Sequence, residues 1–148
     1  MNKLFGGYSG MDINYCEYKI STNKNLISID DVCDLLSKSY WANNRSREKI
    51  EKSIENSICV GIYIAEKMVG FARIVTDYAT MYWLCDVIID EEHRKNGLGK
   101  KMIEYIINME ELKDMFGILA TKDAHKLYQK YGFEIQTVKY MRRDAKII

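Results

Sequence analysis

The run Met81-Tyr82-Trp83-Leu84-Cys85-Asp86-Val87-Ile88-Ile89-Asp90 leads, after Glu91 and Glu92, into His93-Arg94-Lys95-Asn96-Gly97-Leu98-Gly99-Lys100-Lys101. Its first half is apolar on both faces, with Trp83, Cys85, Val87 and Ile89 on one and Leu84 and Ile88 on the other. That is the pattern of a strand in the middle of a sheet. Asp86 interrupts it, and strand parity sets Asp86 on the face opposite Trp83 and Cys85. From Gly97 the apolar period changes to 3.6, with Leu98, Met102, Tyr105, Ile106 and Met109 on one side and Lys100, Lys101, Glu104 and Asn108 on the other, which predicts a helix. A central strand therefore turns into a helix across two glycines. Without a Cβ, glycine lets a ligand approach the backbone, and the first helical N–H groups have no internal partner and carry roughly half a positive charge. Such a junction is an anion site. Arg94, Lys95, Lys100 and Lys101 surround it with cations suited to a diphosphate. The phosphate loops G-x-x-x-x-G-K-[ST] and G-x-G-x-x-G are both absent, so ATP and NAD are poor ligands for it. A bare G-x-G also fits a glycine-eased helix start with a solvated basic face.

Working outward, Ile13 to Ile20 alternates as a first strand after a glycine-rich start at Gly6, Gly7 and Gly10. Asp30 to Ser39 and Ser46 to Asn56 read as helices, the first capped by Ser28 or Asp30, the second marked by Ile50 and Ile54. Between them, Tyr40 and Trp41 stand in a polar stretch, where they either shape a substrate pocket or plug the gap between the helices. Ile58 to Ala65 and Met68 to Thr76 flank Glu66-Lys67 as an antiparallel hairpin. C-terminal to the long helix come a short strand at Gly117 to Ala120 and a helix with the stripe Ala124, Leu127, Tyr128 and Tyr131, ended by Gly132. A last strand, Phe133 to Met141, completes the sheet. The element order predicts a mixed α/β (α+β) layer fold. An exposed last strand bearing Val138 and Tyr140 makes a homodimer an expected arrangement.

The 148 residues fit one domain over 1–148, and 22 basic against 21 acidic side chains exclude bulk attraction to nucleic acid. No apolar run approaches the ~20 residues of a membrane span, and Met1 to Asp12 lacks the apolar stretch of a signal peptide, so a cytoplasmic location is expected. Cys16, Cys33, Cys59 and Cys85 are too scattered for a zinc site, and His93 and His125 add no metal spacing, so no metal is expected.

The segment Arg94-Lys95-Asn96-Gly97-Leu98-Gly99 matches every fixed position of the signature of the GCN5-related N-acetyltransferases, which is Arg or Gln, two residues, Gly, one residue, then Gly or Ala. A second signature of that family, Ala, two residues, Leu-Tyr, three residues, Gly-Phe, is matched by Ala124-His125-Lys126-Leu127-Tyr128-Gln129-Lys130-Tyr131-Gly132-Phe133. The chain resembles this family from Ile58 to its C-terminus, and before that by element order. The resemblance implies a mostly antiparallel sheet with a splayed central strand pair, and acetyl-CoA as the donor. It places the pyrophosphate of coenzyme A on the turn from Arg94 through Lys95, Asn96, Gly97, Leu98 and Gly99 to Lys100. It pairs the pantetheine arm with the backbone of Val87, Ile88 and Ile89, and makes Tyr128 the acid that protonates the departing thiolate. Two positions depart from the pattern. Lys95 stands where relatives often carry glycine, and as lysine it is expected to hold ordinary backbone angles. Thr121 stands where many relatives carry asparagine, which offers the pantetheine arm more hydrogen bonds.

The implied reaction is direct attack of an unprotonated primary amine on the thioester in a ternary complex, with strand N–H groups stabilising the oxyanion. Asp86 is the candidate base, because a carboxylate in an apolar strand has its pKa raised; a buried carboxylate bonded to backbone is the alternative. His125 as a base and Cys85 as a nucleophile are weaker candidates, better read as a solvated histidine and a packed thiol. Tyr40, Trp41, Tyr82 and Trp83 are the candidate aromatic pocket for the amine substrate. Two other functions compete: an inactive acyl-CoA-binding sensor, and a module that grips RNA or another polyanion through Arg94 to Lys101.

Overall fold

The computed structural model describes residues 12–145, so the glycines at 6, 7 and 10 lie outside the described residues. The expected first strand is a hairpin. β1 (Ile13–Tyr15) and β2 (Tyr18–Ser21) pair antiparallel, with Ile13 opposite Ile20 and Tyr15 opposite Tyr18. Cys16 makes the turn with φ of 52°, a left-handed conformation that side chains other than glycine rarely adopt. Helix α1 (Ile29–Ser37) is capped by Ser28, whose Oγ accepts from the Asp31 N–H at 3.2 Å, and it buries Val32, Leu35 and Leu36. Helix α2 (Arg47–Glu55) starts at Ser46 in the same way and buries Ile50 and Ile54. Strands β3 (Ile58–Ile64) and β4 (Lys67–Thr76) form the expected hairpin, followed by β5 (Met81–Ile89), helix α3 (Leu98–Ile107), β6 (Phe116–Leu119) and the short helix α4 (His125–Gln129).

The six strands lie in chain order, antiparallel except for β5 and β6, which run parallel. One sheet face packs on α3 through Val60, Ile62, Ile74, Leu84, Met102 and Ile106. The other packs on α1 and α2 through Leu35, Leu36, Ile54, Phe71 and Ile88. The sheet flanked by helices is the mixed α/β layer that the element order predicts, and its mostly antiparallel pairing is what the family resemblance implies.

Two irregularities of β5 build the site. Its register against β4 jumps from Arg73 opposite Cys85 to Phe71 opposite Ile88, so Asp86 and Val87 together oppose the single residue Ala72. This is a β-bulge, and Asp86 adopts φ of 54° within it. The bulge resets the alternation: Leu84 belongs to the α3 core and Ile88, four residues on, to the α1–α2 core. Parity counted along the sequence fails for that reason. The second irregularity is a splay. β6 pairs with β5 only from Met81 to Leu84, leaving Cys85–Ile89 without a strand partner on that side among the described residues.

The last expected strand is not formed. Gly132 ends the helical turn with φ of 89°, and the Phe133 N–H donates to the Tyr128 carbonyl at 3.2 Å. Beyond it, residues 134–141 are exposed irregular chain. Val138 is turned into φ of 68° and Tyr140 is folded over Trp83, with ring centroids 6.4 Å apart and 13° between planes. The strand that motivated a dimer is therefore absent, since β-propensity forms a strand only where an edge is met in register.

Candidate active site

Helix α3 begins without a side-chain cap. Gly97, at its N-terminus, has φ of 75°, and the first helical hydrogen bond runs from the Lys101 N–H to the Gly97 carbonyl at 3.1 Å. The N–H groups of Leu98, Gly99 and Lys100 precede that bond and have no intrahelical acceptor. A Cβ placed on Gly99 would meet nothing within 4 Å, so this side of the turn is open. Lys95 also takes a left-handed conformation, φ of 68°, which overturns the expectation of ordinary angles. The turn therefore contains two left-handed residues, one of them bearing a cation. Arg94 Nε donates to the Ile89 carbonyl at 3.1 Å and ties the turn to the end of β5.

The N-terminal hairpin buttresses the turn from behind. Tyr15 donates its hydroxyl to the Asn96 carbonyl at 3.1 Å, its ring lies 5.3 Å from Lys101 Nζ, and the Tyr18 hydroxyl shares a 3.0 Å hydrogen bond with His93 Nδ1. Asn96 Nδ2 donates to the His93 carbonyl, so Asn96 braces the turn instead of lining the cleft. None of these tyrosine contacts is legible from local sequence, because the partners are 75 or more positions apart.

In front of the turn lies a cleft of about 750 Å³. Val87, Ile88 and Ile89 form its strand wall, and Arg94, Lys95, Gly97, Leu98, Gly99 and Lys100 its cationic end. Tyr40 and Trp41, Ala124 at the entry to α4 and Leu127 within it also line the cleft. The cleft runs along the β5 edge that the splay leaves open. Its size, its row of unpaired strand groups and its uncapped cationic end fit a long ligand with a diphosphate head, as coenzyme A is.

The model of the acetyltransferase (GNAT) domain family matches residues 55–135, which spans the splayed strands, the turn and α4. The chain belongs to the GNAT acetyltransferase family. A crystal structure of a Xanthomonas campestris pv. campestris protein assigned to the GNAT family superposes with a TM-score of 0.83 at 31% identity, covering 89% of this chain and 96% of that one. A Gibberella zeae protein named as an acetyltransferase is 28% identical over 61% of this chain and 62% of its own length. The spermine/spermidine N(1)-acetyltransferase of Bacillus subtilis is 31% identical over 51% of this chain and 58% of its own length. The chain thus spans somewhat under two thirds of these two curated relatives.

Within this GNAT chain, Asp86 departs most from its sequence reading. Arg45 Nη1 and Arg73 Nε donate to its Oδ2 at 2.7 and 2.8 Å, and Trp41 Nε1 donates to Oδ1 at 3.1 Å. Burial alone raises its pKa, but the hydrogen bonds and charges of the two guanidiniums outweigh this and leave it below the ordinary carboxylate value. The expected raised pKa is corrected: Asp86 is an ionised, fully engaged carboxylate and a poor base. It also shares a face with Cys85, because Arg73, the register partner of Cys85, is the residue that grips it.

The four aromatics expected to form one pocket are divided. Tyr40 and Trp41 reach the cleft, while Tyr82 is buried in the α3 core under Gly117, whose Cβ would lie 2.2 Å from the Tyr82 ring. Tyr82 is thus a core residue, and Trp83 lies off the cleft against Tyr140. Tyr128 is buried, with its ring edge-on to Phe133 at 5.8 Å, and burial pushes its hydroxyl up to about 12. Tyr128 forms no side-chain hydrogen bond among the described residues and, unlike Ala124 and Leu127, does not line the cleft. Thr121 Oγ1 accepts from the Ala124 N–H at 3.0 Å, so it shapes the entry to α4 and does not line the cleft. His125 is exposed. Burial drives the Cys85 thiol up to about 11, which removes it as a nucleophile at neutral pH.

Proposed function

We propose that this chain, as one domain over residues 1–148, transfers an acetyl group from acetyl-CoA to a primary amine by direct attack in a ternary complex. The observation that carries the reading is the uncapped start of α3 at Gly97, set at the end of a strand whose edge is left open by the splay. Acetyl-CoA supplies the activated acyl carbon as a thioester. The amides of Leu98, Gly99 and Lys100, with Arg94 and Lys95 beside them, would hold its diphosphate. The backbone from Val87 to Ile89 would hold its amide-bearing arm, the Ile89 carbonyl being shared with Arg94 Nε.

A free β5 N–H would stabilise negative charge on the acyl oxygen. Tyr128 stays protonated throughout the neutral range and would hold the proton destined for the sulfur at its Oη. Asp86 takes no proton in this scheme, and the amine would reach the site unprotonated by losing its proton to solvent. Polyamines, amino sugars and peptide N-termini are the acceptor classes to test, a polyamine being the substrate named for the Bacillus relative.

The test is thiol release with acetyl-CoA across an acceptor panel of spermidine, glucosamine 6-phosphate, an aminoglycoside and a short peptide. Thermal stabilisation by millimolar acetyl-CoA is measured in parallel. Stabilisation together with amine-dependent thiol release is the expected outcome. Absence of both would overturn the reading, and stabilisation without turnover would leave an acyl-CoA-binding protein.

A further inference from the structure

Asp86 sits where three separate pieces of chain meet. The bulge of β5 turns it left-handed, with φ of 54°, and only 2% of its side chain is exposed. Arg73 reaches it from β4, donating through Nε at 2.8 Å while its Nη1 donates to Ser57 Oγ at 3.1 Å. Arg45 and Trp41 reach it from the segment between α1 and α2. That segment has little helix or sheet of its own. Its local ties are the Ser39 Oγ, which donates to the Leu36 carbonyl and accepts from the Ala42 N–H, and a single turn from the Arg45 N–H to the Ala42 carbonyl. Trp41 nevertheless lines the cleft together with Val87 and Ile88, and it is 42% exposed. Its ring meets that of its neighbour Tyr40 edge-on at 5.0 Å, and the tie that reaches beyond its own segment is the indole N–H anchored to a buried carboxylate.

We propose that Asp86 is a positioning residue for the acyl-acceptor side of the reaction. Its carboxylate, aimed by the left-handed bulge, pins Trp41 and Arg45 to the splayed strand and so fixes the wall against which the acceptor amine is presented. This rests on the acetyl-transfer reading. It assigns the bulge a use: a strand without it would send residue 86 to the other face, and the segment between α1 and α2 would lose its anchor. The two cations divide the work. Arg73 balances the carboxylate inside the sheet, and Arg45 carries the tie outward with its Nε and Nη2 free of protein partners among the described residues.

Two substitutions separate side chain from backbone. Asp86→Gly keeps a residue at ease with positive φ and removes the clamp, whereas Asp86→Asn tolerates the same backbone and removes only the charge. Each is placed in a Trp83→Phe background, so that emission reports Trp41 alone. The expected result is that acrylamide quenching of Trp41 rises at least about twofold in Asp86→Gly. The KM for the best acceptor of the panel should rise about tenfold or more, and by a larger factor than the Kd of acetyl-CoA. Asp86→Asn should fall between, and its pH–rate profile should keep the parent shape at lower amplitude.

Unchanged Trp41 quenching and unchanged acceptor KM in folded Asp86→Gly would overturn the proposal. Loss of the acidic limb of the profile in Asp86→Asn would also overturn it, by making Asp86 the base. Should neither variant fold, Trp41→Phe decides: it deletes the indole donor while keeping an aromatic ring in the wall, and an acceptor KM equal to the parent's would remove the clamp. If no acceptor in the panel releases thiol, the acetyl-transfer reading falls, while Trp41 quenching still tests the tie.

Discussion

Arg45 Nη1 donates to Asp86 Oδ2 across 2.7 Å and joins residues 41 positions apart in the chain. Arg73 adds a second guanidinium at 2.8 Å, and the Asp86 side chain is 2% exposed. Breaking a buried ion pair from one side leaves an uncompensated charge, a loss of about 3–5 kcal/mol. Asp86→Asn is therefore expected to lower unfolding free energy by about 3 kcal/mol, since Arg45 keeps some contact with water. Urea unfolding at pH 7 measures it, and a loss under about 1 kcal/mol would show that the carboxylate contributes little.

The same pair sets an acid dependence. The folded pKa of Asp86 is depressed, so its contribution is complete above the ordinary carboxylate value of about 3.9 and is lost as pH falls through the lower folded value. The stability gap between the parent and Asp86→Asn should be flat from pH 8 to 5 and narrow only below about pH 4. A gap that closes near pH 6 would mean a raised pKa and would restore Asp86 as a candidate base.

Tyr128→Phe removes one oxygen from a buried ring whose packing against Phe133 is unchanged. Acetyl-CoA affinity should stay within about twofold while kcat drops about 100-fold or more, as for loss of a general acid. With its hydroxyl pushed up to about 12, the parent should gain rate as the amine deprotonates and show no Tyr128 limb below about pH 10. A falling limb near pH 8 would assign the acid to another group.

At Gly99 a methyl group meets open space, so Gly99→Ala should fold at least as well as the parent, gaining about 0.5–1 kcal/mol of helix propensity. Gly99→Glu puts bulk and a negative charge beside the uncapped amides and should abolish thermal stabilisation by acetyl-CoA. Isothermal titration with both variants checks the contrast. Normal binding by Gly99→Glu would move the diphosphate elsewhere.

Lys95 and Gly97 are both left-handed, at 68° and 75°. Gly97→Ala should cost about 1–2 kcal/mol in backbone strain, and its Cβ would lie 3.0 Å from the Tyr15 hydroxyl. Lys95→Gly should relieve comparable strain, offset by about 0.5–1 kcal/mol of unfolded-state entropy, leaving Tm nearly constant while acetyl-CoA binding weakens by loss of a cation. Calorimetry with and without acetyl-CoA separates the two effects; a large Tm drop in Lys95→Gly would contradict the strain.

The central strand, the glycine turn and the long helix were legible in sequence because their signals are local. Apolar period reports burial directly, and a Gly-x-Gly at a strand-to-helix junction reports uncapped amides. The starts of α1 and α2 lay within a residue of those read from sequence because Ser28, one of the two caps considered, and Ser46 each act within their own helical turn. The left-handed residues were not legible, because Cys16, Asp86 and Lys95 are not residue types that demand positive φ. Their conformations are imposed by strand pairing and by the turn around the site. Parity along β5 misled for the same reason: one bulge opposite Ala72 exchanges the two faces, and composition does not mark it.

By itself, the sequence determined the family, the layer order and the glycine turn that starts α3, since these rest on contiguous residues. Tertiary structure alone decided the partners of Asp86, whose ionisation depends on guanidiniums brought from β4 and from the segment before α2. It also decided that Tyr82 is core while Trp41 is cleft wall, and that 133–141 forms no strand beside β6. Charge balance and strand pairing are properties of what lies opposite a residue, and only the folded chain says what that is.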